Sequence, residues 1–266
     1  ASLDIVEDLE LFYNDFYLQK RPCIIPAELT KHWRVTQWNS QSLKKELGQR
    51  AHSFSYSDGG SLIMKISEYI ERVFESNPNE APDLPQAPSK TEKIPYMRHV
   101  GPLEGRLYED IEIENLFPHD ISCRKFLFFG AANTKTNCHY DWSHNFSYIV
   151  EGKKHVTILP PLSEKYMDNI SEKDRKAMSL GDCFYFEDPE GCIEQKMANH
   201  PVLSSCPTIY CASLEKGDMV FFPAYWYHYF HNTSPAISVT IQSTDPKEGH
   251  PKPPEEYIRF KSPYDG

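Results

Sequence analysis

The strongest constraint on this chain is a series of short apolar runs between about residues 124 and 243, too brief for helices and rich in β-branched and aromatic side chains. They fall at 125–131 (KFLFFGA), 146–150, 155–159, 219–223 and 236–242, several with the alternation of a strand that has two different faces. Runs of that number and length predict a mainly β fold, a double-stranded β-helix (jelly-roll) barrel with N-terminal and inserted helices. Residues 162–215, between two of the runs, are expected to form an insertion that is part helical and part irregular.

The first third reads differently. In 4–19, Ile5, Leu9, Phe12 and Phe16 recur at helical spacing behind Asp4, a candidate N-cap. Residues 21–26 are a short apolar run bracketed by Pro22 and Pro26, which predicts an edge strand because proline cannot donate to a ladder. Helices are predicted over 42–47 and, more strongly, over 61–75, where Leu62, Ile66, Ile70 and Phe74 keep an i, i+4 rhythm. Residues 77–93 hold four prolines and almost no bulky apolar side chain, so they predict a loop or linker, with a strand resuming at 95–100. The expected organisation is one domain over 1–266: a helical part at 1–93 that includes the linker, a barrel at 94–243, and a proline-rich tail at 244–266.

A net charge of −10 disfavours nucleic acid, whose phosphates select basic faces, and favours a protein partner such as a basic segment. The seven cysteines are odd in number and contain no CxxC pair, and the opening residues show no signal-peptide pattern. A reducing compartment, cytoplasm or nucleus, is the expectation. No apolar run approaches the roughly 20 residues that cross a bilayer, so no membrane span is expected.

One motif carries chemistry. His139-Tyr140-Asp141 sets a histidine and a carboxylate two residues apart, and side chains i and i+2 of an extended strand leave the same face. With one more histidine they would form a facial two-His, one-carboxylate set, which leaves positions open for a bidentate co-substrate and O₂ on a ferrous ion. His228 is the best-placed third ligand, since it follows a turn, a strand, a proline break and the aromatic pair Trp226-Tyr227. Alone, an HxD dipeptide is more often an ordinary surface sequence.

Three stretches in combination resemble the jumonji C family: TNCHYD at 136–141, NFSYIVEGKK at 145–154 followed by Pro160-Pro161, and KGDMVFFPAYWYH at 216–228. The likeness is strong over about 94–243 and closest to the small stand-alone hydroxylases of that family. It implies a cupin-type barrel, an Fe(II) centre on His139, Asp141 and His228, and 2-oxoglutarate and O₂ as co-substrates. It also implies that Lys154 and Thr136, with Tyr96, receive the distal carboxylate of 2-oxoglutarate, Tyr108 being a competing choice for the tyrosine. Asn145 and Gln242 match polar positions at the metal-bound end, with Gln242 standing where asparagine is usual. The plain alternatives are a solvated Lys154 at a strand edge, Thr136 as β filler and Tyr96 as core.

Other groupings carry less. Cys192, His200, Cys206 and Cys211 match no common zinc spacing, His144 and His231 read as neighbours of the ligands, 187–190 reads as a solvated acidic turn, and Trp142 and Trp226 read as core walls. The resemblance implies hydroxylation of a protein side chain. Demethylation of N-methyl-lysine, oxidation of a tRNA base, and a cupin-like binding protein without catalysis are the alternatives.

Overall fold

The computed structural model describes residues 1–55, 61–75, 97–136, 139–161, 208–244 and 251. Twelve strands are described: β1 (Asp4–Ile5), β2 (Cys23–Ile25), β3 (Ala51–Ser55), β4 (Ser61–Lys65), β5 (Met97–Val100), β6 (Ser122–Gly130), β7 (His144–Glu151), β8 (Lys154–Leu159), β9 (Tyr210–Leu214), β10 (Met219–Phe222), β11 (Tyr227–Asn232) and β12 (Ala236–Thr244). A seven-stranded sheet runs β1-β2-β10-β7-β12-β6-β5, a three-stranded sheet runs β11-β8-β9, and β3 and β4 form a separate hairpin. This is the mainly β, jelly-roll architecture that the apolar runs predict.

Period-2 alternation explains how the large sheet serves two cores. Phe146, Tyr148 and Val150 of β7, Phe221 of β10, and Ile237, Val239 and Ile241 of β12 face the N-terminal segments and join Phe12, Trp33 and Phe117 in one cluster. Phe12 meets Phe221 edge-on, with ring centroids 5.4 Å apart. The opposite faces of the same strands turn toward the small sheet. There Ile149, Val220 and Phe222 pack with Val156 and Ile158 of β8 and Phe230 of β11. The two sheets are joined by the tight turn between β7 and β8, where Gly152 has φ +80° and a Cβ would collide with the Pro235 carbonyl.

Four local expectations are corrected. The first helix starts at Leu9 with Asp8 as its cap, the Asp8 carboxylate accepting from the Leu11 amide at 2.7 Å, because Asp4 and Ile5 pair in parallel with Cys23 and Ile24. The helix then runs as a wider π turn over Phe12–Tyr17. The strand at Cys23–Ile25 is not an edge: β1 lies outside it and β10 inside, and both prolines fall beyond the paired residues. Residues 61–65 are strand, paired with Ala51–Ser55, and the helix is confined to Ile66–Ile70 and a π turn at Glu71–Glu75. Leu62 and Ile66 suit either period, and a cross-strand partner decides it. Tyr210–Leu214, assigned to the irregular insertion, is strand β9 against β8. The 42–47 helix spans Ser40–Leu47, with a capping box between Asn39 and Ser42. Most of the 77–93, 162–215 and 244–266 segments, with Cys192, His200, Cys206 and the acidic turn, lies outside the described residues.

Candidate metal centre

His139 and His228 face each other across an antiparallel bridge. The His228 amide donates to the His139 carbonyl at 2.8 Å, and the His139 amide returns a bond to the His228 carbonyl at 3.2 Å. Directly opposed residues of such a pair project to one side, so the two imidazoles sit 4.3 Å apart, centroid to centroid. Two residues on, the Asp141 carbonyl accepts from the Tyr225 amide at 2.8 Å, which keeps the short HxD segment extended. Its carboxylate Oδ2 then lies 3.7 Å from His228 Nε2.

One donor atom from each of the three residues lies within 4.8 Å of the others. Those separations approach what bonds of about 2 Å to a shared cation require. The tautomer of His228 also fits. Its Nδ1 donates to the Trp226 carbonyl at 3.1 Å, which leaves Nε2 as a lone-pair donor facing the group. Burial, reinforced by the neighbouring His139, holds the His228 imidazole well below its usual pKa, so the ring is neutral and able to ligate. Burial raises the Asp141 carboxyl, while His139 and the Asn145 amide act in the other direction. Asn145 fixes that carboxylate directly, its Nδ2 donating to Asp141 Oδ2 and to the Ser143 carbonyl, both at 3.0 Å.

The three residues open onto a cavity of about 200 Å³ between the two sheets. Its walls are Phe126, Phe128, Phe222 and Phe230, and its polar lining comprises Thr136, Ser147, Lys154, Ser238, Thr240 and Gln242 with the metal group. Lys154 is 3% exposed and its Nζ donates to the Ser238 hydroxyl at 2.6 Å, with the Phe230 ring centroid 5.8 Å away. Among the described residues that hydroxyl is its one hydrogen-bond acceptor. Burial alone pushes the ammonium down to about 7. The adjacent Lys153 points outward and pairs with Glu215 at 2.6 Å. Thr136 closes the wall beside Phe230, its Oγ1 accepting from the Phe230 amide at 2.9 Å.

The structure therefore brings His139, Asp141, His228, Thr136, Lys154 and Gln242 to one cavity, with Asn145 behind the carboxylate. Tyr96 lies outside the described residues. Tyr108 is engaged elsewhere, its hydroxyl donating to Glu114 at 3.1 Å. Trp142 is no core wall, being 48% exposed, whereas Trp226 packs against the inner core. His144 is buried against Tyr17 and Phe221, and His231 is buried on β11. The sequence reading passed over Ser238 and Thr240. Their signal is present: Ser238, Thr240 and Gln242 are polar at i, i+2 and i+4 of β12, alternating with the apolar Ile237, Val239 and Ile241, a polar stripe on one face.

The cupin-like domain family matches residues 9–242. The chain is also 29% identical to JmjC domain-containing protein A of Dictyostelium discoideum over 248 residues, 88% of this chain and 92% of that protein. It is 24% identical over 258 residues to lysine-specific demethylase JMJ30 of Arabidopsis thaliana, covering 88% of this chain and 52% of that one. It is 20% identical over 275 residues to the human bifunctional peptidase and (3S)-lysyl hydroxylase JMJD7, covering 86% of this chain and 79% of that one.

Proposed function

Because this chain belongs to the cupin-like domain family, among its jumonji C members, we propose that it is an Fe(II)- and 2-oxoglutarate-dependent dioxygenase that hydroxylates a side chain of a protein partner. The observation that carries the reading is the pairing of two features in one cavity: a His-Asp-His group that can hold a cation, and a buried ammonium whose one acceptor among the described residues is a hydroxyl. A buried charge normally has a partner of opposite sign. A dicarboxylate that chelates the metal at one end and meets Lys154 at the other supplies it.

His139, Asp141 and His228 would hold the iron, with Asn145 fixing the Asp141 carboxylate and the Trp226 carbonyl fixing the His228 tautomer. Lys154 and Thr136, joined by Tyr96, would receive the distal carboxylate, and Gln242 would face the metal-bound end. When bound, iron supplies oxidative decarboxylation: 2-oxoglutarate and O₂ yield succinate and CO₂, and the second oxygen atom enters a C–H bond of the substrate. The protein would hold the reactants in position between four phenylalanine walls.

N-methyl-lysine demethylation uses the same step on a methyl group, and the likeness to JMJ30 favours it as the second reading. The chain spans about half of that protein but most of JMJD7, which supports hydroxylation. Mass spectrometry of candidate proteins incubated with the enzyme, Fe(II) and 2-oxoglutarate separates the two: hydroxylation adds one oxygen atom, and demethylation removes one CH₂. His139→Ala and Asp141→Ala should each abolish 2-oxoglutarate turnover and keep the fold; turnover surviving in both would end the reading.

A further inference from the structure

The Lys154–Ser238 bond crosses the barrel. Lys154 opens β8 in the small sheet, Ser238 lies on β12 in the large one, and 84 positions separate them along the chain. Ser238 is 1% exposed and sits among apolar neighbours, with Ile149 of β7 and Phe128 of β6 as its cross-strand partners. An ammonium has three donors and no acceptor, and a serine hydroxyl has one donor. Once Lys154 has given one hydrogen to Ser238, two ammonium hydrogens and the hydroxyl hydrogen remain, and no protein acceptor for them occurs among the described residues. Three converging donors of this kind match the lone pairs of one carboxylate.

Resting on the co-substrate reading above, we propose that Ser238 is the positioning residue of the 2-oxoglutarate site: its hydroxyl holds the Lys154 ammonium in line and offers its own hydrogen to the same distal carboxylate. Thr240 and Gln242 continue along the same face of β12, and Gln242 pairs across the sheet with Asn145, the residue that fixes Asp141. One strand face thus lines the path from the ammonium to the metal group. Burial pushes Lys154 down to about 7, and an ammonium that donates to a hydroxyl is favoured over the neutral amine, so among the described residues Ser238 is the polar contact available to the charged form before the dicarboxylate arrives.

Titration of 2-oxoglutarate into the Mn(II)-loaded protein tests this, with Mn(II) affinity and thermal midpoint measured on every variant. Ser238→Ala should weaken 2-oxoglutarate binding by about tenfold or more, the scale of a hydrogen bond to a charged group, and leave Mn(II) binding unchanged. Ser238→Thr, which keeps the hydroxyl, should stay within about threefold of the parent, well under the tenfold that corresponds to about 1.4 kcal/mol. In uncoupled turnover the defect should appear in KM and not in kcat. Undiminished binding in Ser238→Ala overturns the proposal, and so does an equal loss in Ser238→Thr. Should the alanine variant fail to fold, Ser238→Cys keeps the volume, replaces the hydroxyl with a weak donor, and carries the same two outcomes. If the parent binds 2-oxoglutarate and Lys154→Ala binds it equally well, the Lys154 assignment itself falls. A loss in Lys154→Ala with none in Ser238→Ala removes only the serine.

Discussion

Among the described residues two lysines are buried, and they are buried for opposite reasons. Lys125 on β6 is wholly inaccessible, yet its ammonium is saturated: it donates to the Ile111 carbonyl at 2.6 Å, the Tyr108 carbonyl at 3.2 Å and both Glu114 oxygens at 2.9 and 3.1 Å, and it lies 3.7 Å from the centroid of the Tyr108 ring. Lys154 on β8 has, among the described residues, one hydroxyl. Folding alone accounts for the first arrangement, which ties the 105–116 segment to the outer face of the large sheet. It does not account for the second, because a desolvated ammonium with one neutral partner costs stability. A group that destabilises the empty fold is a strong sign of a ligand that completes it.

The largest expected effect breaks the comparison at Lys154. Truncating one member of a buried charged pair costs about 2–5 kcal/mol, or roughly 30- to several-thousand-fold in affinity. Lys154→Ala should therefore lose 2-oxoglutarate binding on that scale by calorimetry, while its thermal midpoint stays level or rises. Lys125→Ala should do the reverse. Removing it strands Glu114 and two carbonyls, at a cost of about 2–4 kcal/mol after allowing for the partly exposed Glu114. Chemical denaturation should show that loss, and 2-oxoglutarate affinity in the folded fraction should hold. Equal stability losses in both variants would mean that Lys154 is only a second structural cation.

A smaller effect follows from pH. Lys154 is pushed down to about 7 in the folded, empty protein, below its unfolded value near 10.4. A depressed lysine pKa means that the unfolded chain binds more protons across that interval, so stability should rise with pH between about 7 and 10. Dicarboxylate binding has the opposite sign, since it requires the ammonium: affinity is full below about 7 and falls about tenfold for each pH unit above it, until the pKa of the complex is reached. His139, Asp141 and His228 share the cavity, so the profile should be taken as a difference from Lys154→Arg, whose guanidinium stays charged and should remove the slope. A slope that persists in the arginine variant belongs to the metal group instead.

The same contrast shows what was legible in the sequence. Strands that alternate over one face were readable, because the period is local: β6, β7, β8, β10 and β12 lie where the apolar runs fall. So was the convergence of His139, Asp141 and His228, since HxD needs only one extended segment and one opposing histidine. Features decided by a distant partner were not. β11, which carries His228, is defined by pairing with β8, about 70 positions earlier. Ser238 was missed for the same reason, because its meaning comes from a lysine 84 positions away on the other sheet. The sequence marks Lys125 only as part of a strand, whereas its burial is matched by Glu114 and the carbonyls of Tyr108 and Ile111, 11 to 17 positions earlier.

The smallest expected effect is the sharpest control. Lys153 and Lys154 are adjacent, and successive strand positions point to opposite faces. Lys153 stands outside the barrel, 60% exposed and paired with an equally exposed Glu215 at 2.6 Å. Short as that contact is, exposed pairs are screened and contribute only about 0–1 kcal/mol. Lys153→Ala should therefore leave 2-oxoglutarate affinity, its pH dependence and Mn(II) binding unchanged, and shift the thermal midpoint by a degree or two at most, the scale of a few tenths of a kcal/mol. The two variants differ by one position along the chain and remove the same charge, so any long-range electrostatic account of co-substrate binding predicts similar losses from both. Only a directed contact inside the barrel separates them. A matching loss of 2-oxoglutarate affinity in Lys153→Ala would show that overall positive charge, and not the geometry at Lys154 and Ser238, attracts the dicarboxylate.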